Sequence, residues 1–406
     1  MSRPVVVTGL GCICALGRDV GQFWAALREG RSAIGPLKAA AIDTRLRLGA
    51  EVPDYRPEDF FPAQDLPLLD PFSQFAVIAA RQAVRDAGLD REPGTPLAAA
   101  GVIGTGCGGK HTDEDTYQRL YLQGKNRAHP LTIPKGMPSA AASQLSIQLG
   151  VTGPVFAVTS ACSSANHAIG LGLQMIRGGM TEIVIAGGTD APFTPGLMKA
   201  WEALRVLSHD TCRPFSKDRS GLVLGEGAGV VVLESLDHAR DRGARIYAEL
   251  AGCGMTADAA HITDPAADGA ARAMRAALAD ASVPPEAVDY ISAHGTGTLA
   301  NDPTETRAIH EVFGAHAATL AVSATKSMHG HALGASGALE FIATVLAMRD
   351  RIAPPTANFT EPGDGCDLDY VPNRARDMHI EFALSNSFAF GGLNAVLVLR
   401  ADGWDA

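Results

Sequence analysis

The stretch TSACSSANHAIGLGLQMIRGG, residues 159–179, sets a single cysteine, Cys162, between a run that reads as a β-strand (154–159) and one that reads as a helix (163–177). A cysteine at that junction has two readings. It is a small buried hydrophobe, or it is a nucleophile whose thiolate is favoured by the unsatisfied N–H groups and positive dipole end of the helix that follows. The fragment leaves both open, and the rest of the chain has to decide between them.

The same strand-then-helix alternation runs outward from this point: VVVTG before a helical run at 22–29, GVIGTG before a polar segment, IVIAGG further on. It predicts an α/β layered fold. A chain of 406 residues with 46% hydrophobic and 19% charged residues can bury a large core. The net charge of −10 argues against a broad nucleic-acid-binding face. Seven cysteines without a C-x-x-C pair argue against a disulfide framework or zinc ribbon and for a reducing cytosol. The opening MSRPVVVTGLGCICALG reads as a first strand and turn, and no run reaches the length of a membrane span. The expectation is a cytoplasmic protein.

Echoes within the chain predict a duplication. LGEGAGVVVLESL (224–236) and AFGGLNAVLVLRAD (389–402) both run from a glycine-rich turn into a hydrophobic strand. VFAVTSAC with its helix has a counterpart in LAVSATKSMHGHALGASGALEFIATVLAM, and a strand expected at 245–250 resembles the opening one. Two similar halves are expected, 1–245 carrying Cys162 and 246–406.

The second half carries two polar clusters at strand ends. His294 lies in VDYISAHGTGTLANDPTE, and Lys326 and His331 lie in VSATKSMHGHALGASGALE, which also holds Glu340. Ligands collect at the carboxyl ends of strands in layered α/β folds. A cysteine, two histidines and a lysine in corresponding loops therefore favour catalysis over four separate structural roles. GTGCGG (104–109) matches G-x-G-x-x-G but lacks the βαβ context of a dinucleotide site, and close backbone packing beside a pocket explains it better. His329, His331, His294 and Cys162 lack the spacing of a metal site, so no metal is expected. The acidic run Asp113, Glu114, Asp115 reads as a solvated surface.

TSACSSANHAIG, RPFSKDRSGLVLGEGAG, AHGTGTLANDPTE, TKSMHGHALGASGALE and NSFAFGGLN occur in that order along essentially the whole chain. With this set the chain resembles the β-ketoacyl-[acyl carrier protein] synthases of the thiolase superfamily, on the elongating type II (KAS II-like) branch. Within that branch ACSSANHAI, AGGTDAP, KAWEALRVL and DTCRPFS are most similar to nodulation-type synthases that build unsaturated acyl chains. The resemblance implies a thiolase-like five-layered αβαβα sandwich made of two duplicated halves.

It also implies the roles. Cys162 would accept an acyl group from a carrier-protein thioester. His294 and His331 would donate from Nε2 to the enolate left when a malonyl thioester loses CO2, each such donor being worth about 3 kcal/mol. Lys326 would stay charged and orient them, with Glu340 as its partner. The backbone N–H groups of Cys162 and Phe390 would form the oxyanion hole, with Phe390 also gating the acyl pocket. Thr296 and Thr298 match phosphopantetheine-binding positions. Asp302 and Glu305 would brace the His294 loop. No cofactor is implied beyond the phosphopantetheine arm of the acyl carrier protein, the expected partner.

The chain departs from the family pattern in places. Ala389 and Leu393 stand where the gate usually has glycine and threonine, which narrows the loop's freedom. His329 stands where relatives often carry threonine, and a supporting role is expected of it. Cys107, at the floor of the acyl pocket where isoleucine can occur, should leave room for longer or polyunsaturated chains. The carrier-docking segment QDLPLLDPF (64–72) has no Lys or Arg, leaving Arg205, with Arg213, Lys217 and Arg219 as further candidates. Homodimer and heterodimer with a chain-length-factor-like subunit both stay open. A non-catalytic chain-length partner should lack the Cys-His-Lys-His set, a thiolase should carry a second cysteine near NSFAFGGLN, and an initiating synthase should have Asn in place of His331.

Overall fold

The computed structural model describes residues 3–38, 47–92 and 94–401. Ten strands make one continuous sheet: β1 (Val5–Cys14), β2 (Ala100–Gly104), β3 (Val155–Val158), β4 (Ile183–Asp190), β5 (Gly227–Ser235), β6 (Ala248–Ala257), β7 (Tyr290–Ser292), β8 (Ala321–Ser323), β9 (Phe382–Ala389) and β10 (Leu393–Ala401). Their spatial order is β8-β7-β9-β10-β6-β1-β5-β4-β2-β3. Outward from the centre each half places its first, fifth, fourth, second and third strand. In each half the inner pairs are antiparallel and the outer pairs parallel. The half-sheets join where Val6 and Val7 of β1 pair with Glu249 and Ala248 of β6.

Five layers result. Helices α1 (Pro71–Asp86) and α2 (Ala140–Leu149) cover the outer face of the first half-sheet. Helix α3 (Ser164–Arg177) and the last helix, Ser336–Asp350, pack against each other between the two half-sheets. Helix α4 (Pro195–Leu204) lies off the first half-sheet, beside the site described below. Helices α5 (Ala267–Ala281) and α6 (Asn301–Phe313) cover the far face of the second half-sheet. The last helix is α7, buried from Ser336 to Met348. That uniform burial suits the middle layer, since a helix apolar on all sides can face two sheets at once. The αβαβα sandwich of two duplicated halves is thus the observed fold.

The echoed strands occupy equivalent places: β5 with β10, β1 with β6, and β3–α3 with β8–α7. The strand expected at 245–250 begins later and runs on to Ala257. Close packing repeats too. A Cβ on Gly11 of β1 would sit 2.0 Å from the Ala79 carbonyl oxygen of α1, and one on Gly254 of β6 would sit 2.1 Å from the Ala273 oxygen of α5. Each outer helix rests its backbone directly on its sheet at these points, which only glycine permits. Gly254→Val should lower unfolding stability by about 3 kcal/mol, measured as the shift of the urea unfolding midpoint.

Candidate active site

Strand β3 delivers the chain to Cys162 through a tight turn. Ala161 is held at φ 49°, a left-handed conformation unusual for a residue with a Cβ, and Ala161–Ser163 form one 3₁₀ turn before α3. The second half repeats this device. Leu333 is held at φ 50°, and Leu333–Ala335 form a 3₁₀ turn leading into α7. The two turns pack against one another, which brings His331, just upstream of the second, onto Cys162. His331 Nε2 lies 3.1 Å from Cys162 Sγ.

Neighbouring donors fix the His331 tautomer. The Leu333 backbone N–H, which can only donate, points at Nδ1 from 3.2 Å, and the Ser336 hydroxyl lies 2.8 Å from the same nitrogen. Nδ1 is therefore an acceptor and the proton sits on Nε2, directed at the sulfur. His294 reaches the same state differently. The Lys326 ammonium meets three acceptors with its three hydrogens: the His294 carbonyl oxygen at 2.6 Å, His294 Nδ1 at 3.3 Å, and Glu340 Oε1. With Nδ1 accepting, His294 also carries its proton on Nε2. The two rings stand edge to face, 5.6 Å between centroids. Burial and the Lys326 charge hold both imidazoles well below their usual range, with His331 adding to the effect on His294 and His329 to that on His331, so both are neutral donors at pH 7. Burial raises the Glu340 carboxyl against the opposing pull of Lys326.

The His294 loop is tied down by two buried carboxylates of α6. Glu305 accepts the N–H groups of His294 and Gly295, each at 2.8 Å, and the Asn386 amide at 3.2 Å. Asp302 accepts the Phe215 N–H at 2.7 Å and the Gly297 N–H at 3.2 Å. Thr296 and Thr298, whose hydroxyls lie 2.9 Å apart, line the cleft that ends at Cys162, His294 and His331.

Phe390, Val206, Leu222 and a loop at 258–265 complete that cleft. Phe390 lies in the turn between β9 and β10 and stacks on Trp201 of α4, with centroids 6.1 Å apart. Ala389 ends β9 paired with Leu393, and the left-handed conformations of the turn fall on Gly391 (φ 82°) and Gly392 (φ 68°) instead. The alanine costs no backbone strain. The turn is further held by the Gly391 N–H, donated to the Ile262 oxygen at 2.7 Å.

Both halves of the chain match models of one family, "Beta-ketoacyl synthase, N-terminal domain" over residues 2–239 and "Beta-ketoacyl synthase, C-terminal domain" over 247–360. The chain belongs to the β-ketoacyl synthase family. It is 52% identical to nodulation protein E of Rhizobium sp. (strain N33), over 98% of this chain and 100% of that protein. It is 45% identical to 3-oxoacyl-[acyl-carrier-protein] synthase 2 of Coxiella burnetii, over 98% of each. Among solved structures it is similar to the ishigamide ketosynthase/chain length factor, with a TM-score of 0.93, 40% identity, and coverage of 99% of this chain and 100% of that one. It is also similar to a chain of a type II PKS acyl-carrier protein in complex with its ketosynthase bound to the hexaketide, with a TM-score of 0.90, 34% identity, and coverage of 99% and 100%.

Other sequence expectations on this synthase need revision. The helix end does not decide the state of Cys162. The residue sits in the turn before α3, 7% exposed, and burial pushes its thiol up to about 12 even though Lys326 pulls it down. Desolvation of the thiolate is the largest influence on it. Arg219 is no docking residue: it is buried, giving hydrogen bonds to the Ser216 and Thr298 oxygens at 2.9 and 3.2 Å. Arg213 and Lys217 are engaged in ion pairs, with Asp210 and Glu361. Arg205 remains exposed at the end of α4, sharing a surface hollow with Arg47, Lys199 and His209. Glu114 is more than solvated surface: it accepts the Gly196 N–H at 3.0 Å at the start of α4. His329 is fully buried, bonded to the Gly330 oxygen at 2.8 Å and the Thr325 hydroxyl at 3.0 Å, outside the cleft.

GTGCGG does pack closely beside the pocket. A Cβ on Gly104 would sit 2.4 Å from the Ser164 backbone. Cys107 joins Leu333, Trp201 and Phe390 in an apolar cluster. Sequence reading missed Trp201 and the 258–265 loop as parts of the site, because each meets a partner distant in the chain. It missed Ser336, five residues from its partner His331, because a serine at a helix start carries no signal of its own. Iodoacetamide alkylation of Cys162 should accelerate continuously from pH 7 to pH 10, since the buried thiol ionises only as pH approaches about 12. Alkylation followed by intact mass checks this, and a plateau near pH 7 would show a resting thiolate.

Proposed function

We propose that this synthase transfers an acyl group from carrier protein to Cys162 and then joins it to malonyl-carrier protein with loss of CO2, lengthening a fatty or polyene acyl chain by two carbons. The observation that carries the reading is the hydrogen bond from His331 Nε2 to the Cys162 sulfur, beside a second Nε2–H donor on His294.

In the first step Cys162 Sγ attacks the thioester carbonyl, and the backbone N–H groups of Cys162 and Phe390 hold the oxyanion. The intermediate expels the phosphopantetheine sulfur, which leaves with the proton given up by Cys162. In the second step the malonyl C–C bond breaks, CO2 departs, and the electron pair passes to the enolate, whose oxygen accepts from His294 and His331. The enolate carbon attacks the acyl carbonyl, the C–S bond breaks, and the Cys162 thiolate takes a proton from water, the reaction consuming one proton overall. Neutral imidazoles suit this role: they stabilise a developing negative charge without protonating the carbon that must react. Lys326, saturated by its three acceptors, holds the His294 ring, with Glu340 compensating its charge. Asp302 and Glu305 fix the loop, and Thr296 and Thr298 would bind the phosphopantetheine arm in the cleft. No other cofactor enters the reaction.

Acyl carrier protein is the partner, docking at the mouth of the cleft through Arg205. The similarity to nodulation protein E supports unsaturated or long acyl chains, and Cys107 supplies the room. Strand β3 closes one edge of the sheet, with β2 on one side and no strand beyond it among the described residues, and its Phe156 is exposed. That edge fits a second subunit, either another copy of this chain or a chain-length-factor-like subunit. A domain division at 245/246 agrees with the two family matches. No helix among the described residues is long and apolar enough to cross a membrane, and the cytoplasm is the proposed location.

Intact mass spectrometry of protein mixed with acyl- and malonyl-carrier proteins tests the reading. Wild type should gain the acyl mass and release a carrier product two carbons longer, while Cys162→Ala should do neither. No acylation across a panel of chain lengths would overturn it in favour of a non-catalytic subunit. Cys107→Phe should shorten the products by at least one two-carbon unit, read from the same spectra.

A further inference from the structure

One buried carboxylate near Cys162 has no part in the chemistry proposed above. Asp190 ends β4, the strand beside β2. Its oxygens accept four hydrogen bonds, two each. Oδ1 takes the Thr105 hydroxyl at 2.8 Å and the Cys107 N–H at 3.0 Å, and Oδ2 takes the Gly106 N–H at 2.8 Å and the Gly334 N–H at 2.7 Å. Three of these donors belong to the segment that carries Cys107, a wall of the apolar cluster containing Phe390 and Trp201. The fourth belongs to the turn whose Leu333 N–H sets the His331 tautomer. The segments meet backbone to backbone, since a Cβ on Gly334 would sit 2.4 Å from the Gly106 nitrogen and 2.7 Å from Asp190 Oδ2.

We propose that Asp190 is a positioning residue for the condensation step, its carboxylate locking the acyl-pocket wall and the His331 turn into one unit so that the Nε2–H donor stays aligned at the reacting centre. The inference rests on the decarboxylative reading above. Asp190 also acts on Cys162 through its charge, which raises the thiol. These two effects pull in opposite directions, and that makes the role testable.

Asp190→Asn keeps the shape, removes the charge, and turns an NH2 group toward two of the four donors. The variant should alkylate Cys162 with iodoacetamide at pH 8 roughly threefold faster than wild type, because the thiolate loses a nearby negative charge. Its condensation rate with malonyl-carrier protein should fall roughly tenfold or more, because a donor is misaligned. A loosened protein would also expose the buried sulfur and alkylate faster, so the urea unfolding midpoint is read alongside. Unchanged in the variant, it leaves the lost charge as the cause; lowered in step with faster alkylation, it overturns the inference. The pH profile adds a second signature. Burial lifts the Asp190 carboxyl to about 6, as it does Asp302 beside the His294 loop, so wild-type condensation should decline as pH falls through 6, and the variant should keep only the Asp302 part of that decline.

Parallel slowing of both reactions, or no change in either, would overturn the inference. If Asp190→Asn does not give soluble protein, Thr105→Val removes one donor without touching charge. That variant should condense several-fold more slowly at unchanged alkylation rate, and wild-type condensation would overturn the proposal. Wild type itself separates the two levels. If it fails to condense, the functional reading falls; if it condenses and the variants match it, only the role of Asp190 falls.

Discussion

The organising constraint is that two α/β halves share a single buried helical layer. Helices α3 and α7 each face both half-sheets, so neither half can close its core without the other. Their N-terminal turns are pressed together inside the protein. One of those turns carries Cys162 and the other carries Gly334 at the equivalent place, both following a residue forced into a left-handed conformation. The site is therefore asymmetric chemistry on a symmetric frame: a nucleophile on one turn and, on the other, a glycine that lets the first approach.

Burial then sets the electrostatics. A thiol at a helix end in water would be acidified, yet here desolvation dominates and keeps the sulfur protonated until an acyl donor arrives. The same burial strips both histidines of charge and makes each a donor with a defined tautomer. The charged groups around this arrangement are matched: Lys326 by three acceptors, Glu305 and Asp302 by backbone N–H groups, Asp190 by four donors, while Glu340 accepts through Oε1 alone. A buried ion such as Lys326 left without its partners would cost several kcal/mol, so these contacts hold the fold as well as the site.

Cys162, His294, Lys326 and His331 were legible as candidates because each lies just past a hydrophobic strand, a local signal. The duplication was legible in the echoed strands, and a further mark of it, G-x-G at 9–11 and at 252–254, lay in plain view. Arg219 and Glu114 were misjudged for the opposite reason. A charge in a polar run looks solvated until the fold shows what covers it: Asp302 and two carbonyls in one case, the start of α4 in the other.

The sequence by itself determined the family, the layered fold and the residue types that chemistry requires, because periodicity and motif order are local properties of a chain. Only the tertiary structure decided the protonation of Cys162, the tautomers of the histidines, and which carboxylates brace the site. Those depend on desolvation and on how the fold turns groups toward each other. Some are near in the chain, such as Leu333 and Ser336 on His331, and some more than a hundred residues apart, such as Cys162 against His331 and Asp190 against Gly334. No linear pattern encodes such distances; they exist once the two halves have packed.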